Sequence, residues 1–174
     1  MYDKIYQFLN RFFKTATLFK ALFNLAPMYR RSVGRVKYVS DDLMLTTVEI
    51  PLNYKNRNYV GTMFGGSLFS ATDPIYMIQL VYILGKDYVV WDKAALIRFK
   101  RPATERAYAR FEYTPEEVEQ IKRDVAEKGE IDITKMIYIT NKQEMVFSEV
   151  EKTIYVASKS FYNEKKRKRA LRSS

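Results

Sequence analysis

The sequence contains neither cysteine nor histidine. Their absence excludes disulfide scaffolds, zinc fingers, thiol nucleophiles, Ser-His-Asp triads and histidine-ligated metal sites. Any chemistry falls to carboxylates, hydroxyls, amides, lysine, arginine or backbone donors. Glycine (six) and proline (five) are scarce, too few for a linker-rich or collagen-like chain. No stretch approaches the roughly 18 uninterrupted apolar residues of a membrane span. The N-terminus does not read as a signal peptide, because Lys4, Arg11, Lys14 and Lys20 interrupt its apolar residues rather than precede them. The expected location is the cytoplasm. What is present is 174 residues, 47% apolar and 29% charged. That predicts one soluble domain with a substantial core.

The net charge of +10 is unevenly placed. Residues 1–40 carry eight Lys/Arg and one Asp, and residues 164–174 carry six Lys/Arg and one Glu. The middle, 41–163, holds 16 bases and 18 acids. The division expected is an N-terminal amphipathic helical segment (1–30), a folded domain (31–160) and a basic tail (161–174). A DNA-binding domain more often carries a basic stripe on its folded face, so no specific nucleic-acid partner is expected. Lys165, Lys166, Arg167, Lys168, Arg169 and Arg172 read as a solvated, frayed terminus. The other reading is contact with RNA or anionic lipid.

On a helical wheel Ile5, Phe8, Leu9, Phe12, Ala16, Phe19 and Phe23 share one side, opposite Lys4, Gln7, Arg11 and Lys14. This is an amphipathic helix, with a break before Pro27. It docks on the domain or a partner subunit, or makes a weak membrane-surface contact. Strands are expected at about 33–40 and 43–50, turning at Asp41-Asp42. A long apolar helix follows from about Ser67 to Leu84, stopped by Gly85. Further strands are expected at 88–100, 105–113, 131–140 and 145–157. Thr114-Pro115-Glu116-Glu117 starts a helix over 115–128, ended by Gly129. The fold class is therefore α+β: an antiparallel sheet wrapped around one long apolar helix.

One stretch of this pattern can carry chemistry. Gly65-Gly66 lies at the start of the apolar helix, where N–H groups are free and the helix dipole is positive. Without side chains, these residues let a ligand oxygen approach the backbone, as an oxyanion hole requires. Asp73 lies two turns further along, the one acid on the apolar helix. Burial there would raise its pKa and suit a general base. The bland reading is that Asp73 and Pro74 form an N-cap and N1 pair restarting an interrupted helix.

The spacing Asn58-x-x-Gly61-Thr62-x-Phe64-Gly65-Gly66-x6-Asp73 resembles the hotdog-fold thioesterases of the phenylacetate-degradation type. Their pattern is Asn-x-x-Gly-x-x-His-Gly-Gly followed by an acid at this spacing. Arg98-Phe99-Lys100-Arg101-Pro102 looks like the family's Phe-x-Arg-Pro on the strand after the helix. The fit is closest to a branch with Phe before the glycines and Asp-Pro in the helix. The resemblance implies a hotdog fold. It also implies Asp73 as nucleophile or base for water, and Gly66, beside Gly65, as the N–H polarising a thioester carbonyl. Asn58 would help to place substrate or water. It implies further that acid and oxyanion donor come from different subunits of a homodimer or homotetramer. Phe64 departs from the family's His and removes a polar group from the site.

The function expected is hydrolysis of an acyl thioester of coenzyme A or a carrier protein. Coenzyme A enters as part of the substrate, with no separate cofactor and no metal. Thr62, Phe64 and Phe69 are the expected substrate contacts, with Met77 and Trp91 as further candidates for an acyl pocket. Arg98, Lys100 and Arg101 would meet the coenzyme's phosphates, or simply face solvent. The alternative is a non-catalytic acyl- or lipid-binding hotdog. A hydratase on the same fold, or a scaffold binding nucleic acid through its basic ends, are further readings.

Overall fold

The computed structural model describes residues 14–172. Two short helices come first, α1 (Thr15–Leu25) and α2 (Pro27–Arg31), followed by β1 (Arg35–Val39) and β2 (Leu45–Ile50). The long apolar stretch forms α3 (Gly65–Thr72) and α4 (Ile75–Leu84). Then come β3 (Tyr88–Phe99), β4 (Ala107–Glu112), α5 (Pro115–Lys128), β5 (Glu130–Thr140), β6 (Val146–Ser158) and α6 (Lys159–Arg172). The strands form one antiparallel sheet in the order β1-β2-β4-β5-β6-β3. It wraps α3 and α4, the hotdog arrangement expected from the sequence.

Alternation sets which strand residues meet the helix. Ala107, Ala109 and Phe111 of β4 are buried, as are Val150, Ile154 and Val156 of β6. They pack with Leu68, Ala71, Ile75 and Leu80 of the central helices in one core. By length and composition Gly65–Leu84 could cross a membrane, but half of that window is buried inside the sheet. Its apolarity is that of a core helix. Gly85 ends it at φ 80°, a conformation glycine adopts without strain.

The break before Pro27 falls where expected, between α1 and α2. Ala16, Phe19 and Phe23 are buried, and α1 is docked on the domain. Asn24 fixes it to the sheet's first strand. Its Nδ2 donates to the Val36 carbonyl, and its Oδ1 accepts from the Val36 N–H, each at 2.9 Å. Ile5, Phe8, Leu9 and Phe12, with Lys4, Gln7 and Arg11, lie outside the described residues.

Helix α5 begins with the expected capping box. The Thr114 side chain accepts from the Glu117 N–H, and Glu117 accepts from the Thr114 N–H. Thr114→Ala should cost about 1 kcal/mol, because both interactions depend on the threonine hydroxyl or its fixed geometry. Urea unfolding should show a lower midpoint at unchanged slope.

The C-terminus differs from expectation: residues 159–172 are helical, not frayed. Ser158 Oγ accepts from the Phe161 N–H at the helix start. Lys165 Nζ donates to both Glu130 oxygens at 2.5 Å, and Glu164 pairs with Lys168 one turn on. The Phe161 ring lies where any side chain on Gly129 would stand. Local caps and contacts to the sheet thus outweigh the mutual repulsion of the basic residues.

Candidate active site

The loop before α3 is organised by asparagines. Asn58 Oδ1 accepts from the N–H groups of Val60 and Thr62, and its Nδ2 donates to Thr62 Oγ1 at 2.9 Å. Asn58 therefore holds its own loop, and its side-chain contacts are internal to it. The Phe64 N–H donates to the Asn56 carbonyl at 2.7 Å, and the Met63 N–H to the Ala103 carbonyl at 2.8 Å. These bonds pin both sides of the loop, so the start of α3 has a fixed position.

At that start, the N–H groups of Gly65 and Gly66 have no acceptor among the described residues. This is the normal state of a helix's first turn. Two aromatic rings lie over these glycines. A methyl group on Gly65 would sit 2.7 Å from the Phe99 ring, and one on Gly66 would collide with Phe64. Phe64 itself is exposed. Beside Gly65 opens a cleft of about 460 Å³, lined by Thr62, Gly65, Phe99, Lys100, Arg101 and neighbours. Of the expected substrate contacts it brings together Thr62, Lys100 and Arg101. Phe69 lies on the helix, half-buried, and Arg98 is exposed. Lys100 pairs with Glu149 at 2.9 Å.

Asp73 sits at the joint between α3 and α4. Its N–H still bonds the Phe69 carbonyl, and the Ile78 N–H bonds the Pro74 carbonyl, so the helical path continues across the break. The capping interpretation is overturned: no side-chain bond caps α4. The Asp73 carboxylate is instead met by a side chain of the sheet. Its Oδ1 accepts from Lys152 Nζ at 2.7 Å, and Oδ2 has no partner among the described residues. The side chain is 44% exposed, which corrects the expectation of a buried acid.

Lys152 was not singled out in the sequence, nor was Asp92. Lys152 is 1% exposed and shares its ammonium between Asp73 and Asp92, the latter at 2.9 Å. It lies on the inward face of β6, between Val150 and Ile154. A lysine in register with core residues of a strand was the signal available. A buried lysine must be paired, and two carboxylates face this one. Burial pushes the Asp92 carboxyl above its ordinary range, Lys152 pulls it down and Asp73 pushes it up. Asp92 Oδ1 is buried with no hydrogen-bond partner among the described residues.

Seven residues separate Gly66 from Asp73 along one helix, a rise of about 10 Å. One chain therefore does not bring this acid and these donors to the same carbonyl. Trp91, a candidate for an acyl pocket, stacks on Tyr155 on the sheet's other face, away from the helix. Among the described residues no cluster of acids suits a metal.

The fold and the placement of its helix are those of a hotdog-fold protein. More particularly, the chain belongs to the family described as a domain of unknown function, DUF4442, whose pattern matches residues 15–156. Similar solved structures include a Pseudomonas aeruginosa protein of unknown function described as a probable thioesterase (TM-score 0.72, 20% identity). That match covers 82% of this chain and 95% of the other. A Chlorobaculum tepidum protein of unknown function aligns at TM-score 0.64 and 17% identity, over 90% and 96% of the two chains. A Haemophilus influenzae thioesterase aligns at 0.61 and 12%, over 83% and 91%. Among curated proteins, none matches the chain significantly.

Proposed function

We propose that the protein hydrolyses an acyl thioester of coenzyme A or of a carrier protein. The observation that carries this reading is Asp73, the single acid of a hotdog central helix, with one oxygen clamped by a buried lysine and the other free. The free Oδ2 takes a proton from water. The resulting hydroxide attacks the thioester carbonyl, and the N–H groups of Gly65 and Gly66 receive the developing oxyanion. Collapse of this intermediate expels the thiolate, which recovers the proton from Asp73. The products are a carboxylic acid and a thiol.

The reaction needs a second chain, because the acid and the donors are too far apart in one. The surface supports a homodimer. Among the described residues strand β3 pairs only with β6, which leaves its other edge, twelve residues long, open. Leu96 and Phe99 on β3 are exposed, as is Val81 one turn beyond Met77 on α4. Phe69, Asp73, Met77 and Val81 fall at four-residue spacing, one stripe of the helix. Two copies joined at β3 would bring this stripe towards the partner's Gly65-Gly66. Arg101, lining the cleft, is suited to the phosphates of the coenzyme.

The test is hydrolysis of acyl-coenzyme A esters of graded chain length by wild type and Asp73→Asn. Wild-type turnover, with a fall of about 10²-fold or more in the variant, is expected for loss of a general base. Equal rates would remove Asp73 from the mechanism. One feature favours a second reading, non-catalytic acyl binding: the Phe64 and Phe99 rings stand against the two glycines, where any side chain there would be. Tight binding of a fatty acyl ligand without turnover of any ester would establish it.

A further inference from the structure

Lys152 is held by one carboxylate more than a buried ammonium needs. Its Nζ donates to Asp73 Oδ1 at 2.7 Å and lies 2.9 Å from Asp92 Oδ2. One ammonium between two carboxylates leaves the trio with one negative charge in excess. That excess is costly, because Asp92 Oδ1 is buried with no partner among the described residues. A one-to-one pair would have been enough for Lys152. A role in the chemistry accounts for the second carboxylate.

The hydrolytic cycle supplies that role. Between taking a proton from water and returning it to the thiolate, Asp73 is neutral. Were it the sole counter-ion of Lys152, that step would leave a charged group bare in the interior. Asp73 would then keep its charge rather than act as a base. With Asp92 in place, one added proton brings the trio to zero net charge, and the ammonium stays paired throughout. The two acids differ in position. The Asp73 side chain is 44% exposed, with Oδ2 open, whereas the Asp92 side chain is 22% exposed. Burial raises the Asp92 carboxyl, Lys152 lowers it and Asp73 raises it again, as expected for two acids coupled through one cation.

The groups packed around the trio do not replace Asp92. Among the described residues Lys152 has no third carboxylate. Lys135 lies opposite Lys152 in the β5–β6 ladder, but Glu117 holds it at 2.8 Å. Its Nζ also lies over the rings of Tyr76 and Tyr113, at 5.2 and 4.7 Å. Asp92 acts electrostatically on Tyr113, whose buried hydroxyl donates to the Tyr76 carbonyl and stays protonated.

We propose that Asp92 is a positioning residue for Asp73: it keeps the Lys152 ammonium paired while Asp73 takes up and releases a proton. Its catalytic meaning rests on the thioesterase reading, but the proton exchange does not. The carboxyl carbons of isotope-labelled aspartate are therefore followed by NMR across pH, with Asp73→Asn and Asp92→Asn assigning the resonances. In wild type the pair should titrate in two steps. The first proton enters readily and the second only at far lower pH, since only the second strands the ammonium. Asp92→Asn should abolish the first step and leave Asp73 titrating lower by about one pH unit or more. Lys152→Met should move titration upwards instead. If it does not fold, the Asn variant, which keeps the shape and one counter-ion, decides alone. In acyl-coenzyme A turnover, Asp92→Asn should shift the acid limb of the pH–rate profile to lower pH. It should also lower the plateau about tenfold with KM little changed, because a weaker base takes the proton. A purely structural role would lower the rate equally at every pH. If wild type hydrolyses no ester while Asp73 titrates as described, the thioesterase reading fails and the proposal stands. The proposal is overturned if Asp73 titrates at the same pH in wild type and Asp92→Asn, or if the variant loses rate with its acid limb unmoved.

Discussion

A Lys152→Met protein is expected to be about 3 kcal/mol less stable than wild type, the usual scale for removing one partner of a buried ion pair. For a chain of this size that lowers the thermal midpoint by about 6–12 °C. The side chain is fully enclosed, and its ammonium is held between Asp73 and Asp92. Methionine preserves much of the volume, so the loss is electrostatic rather than a cavity effect. It leaves two carboxylates side by side with no cation between them. Both retain some contact with water, which limits the damage. Making the whole cluster neutral, Lys152→Met/Asp73→Asn/Asp92→Asn, should recover most of the loss, because no unpaired charge then remains. Calorimetry on these variants checks both statements. An unchanged midpoint in the single variant would show that the ammonium is not held as described.

Gly66→Pro should lower thioester turnover by about 10²–10³-fold, the effect of deleting one oxyanion donor. Proline removes the N–H without needing a bond that the helix itself makes, since the first turn tolerates proline. The exposed Phe64 ring must swing aside, and a side-chain end can do so. The informative experiment mixes this protein with Asp73→Asn. If acid and donor come from different chains, each mixed dimer regains one complete site. Random reassociation then restores about a quarter of wild-type activity from two inactive proteins, as expected for a two-fold assembly. No recovery on mixing, with mixed dimers verified by mass, would place acid and donor in the same chain and dispose of the shared site.

The sequence made the local elements legible because each is signalled by neighbouring residues. Thr114 to Glu117 announced α5, Gly85 and Gly129 marked helix ends, and Pro27 separated α1 from α2. Asp73 stood out because an acid is costly on an apolar helix. Its partner did not, because Lys152 is 79 residues away and depends on how the sheet is assembled. The strand order is equally non-local: β3 pairs with β6 rather than with its neighbours in sequence. The tail misled for a different reason. Its composition suggested repulsion and solvation, while Ser158, Glu130 and Phe161 supplied the cap, counter-charge and packing that make it a helix.

The margin of β3 that no described residue pairs has a consequence for handling the protein. A row of exposed peptide groups can recruit any extended segment, and side chains such as Leu96 and Phe99 would reward the encounter. If two copies mask each other's margins, dilution strips that mask away. Purification at low concentration would then favour clumping, contrary to the usual experience that crowding causes it, and heat resistance would climb as more chains are added.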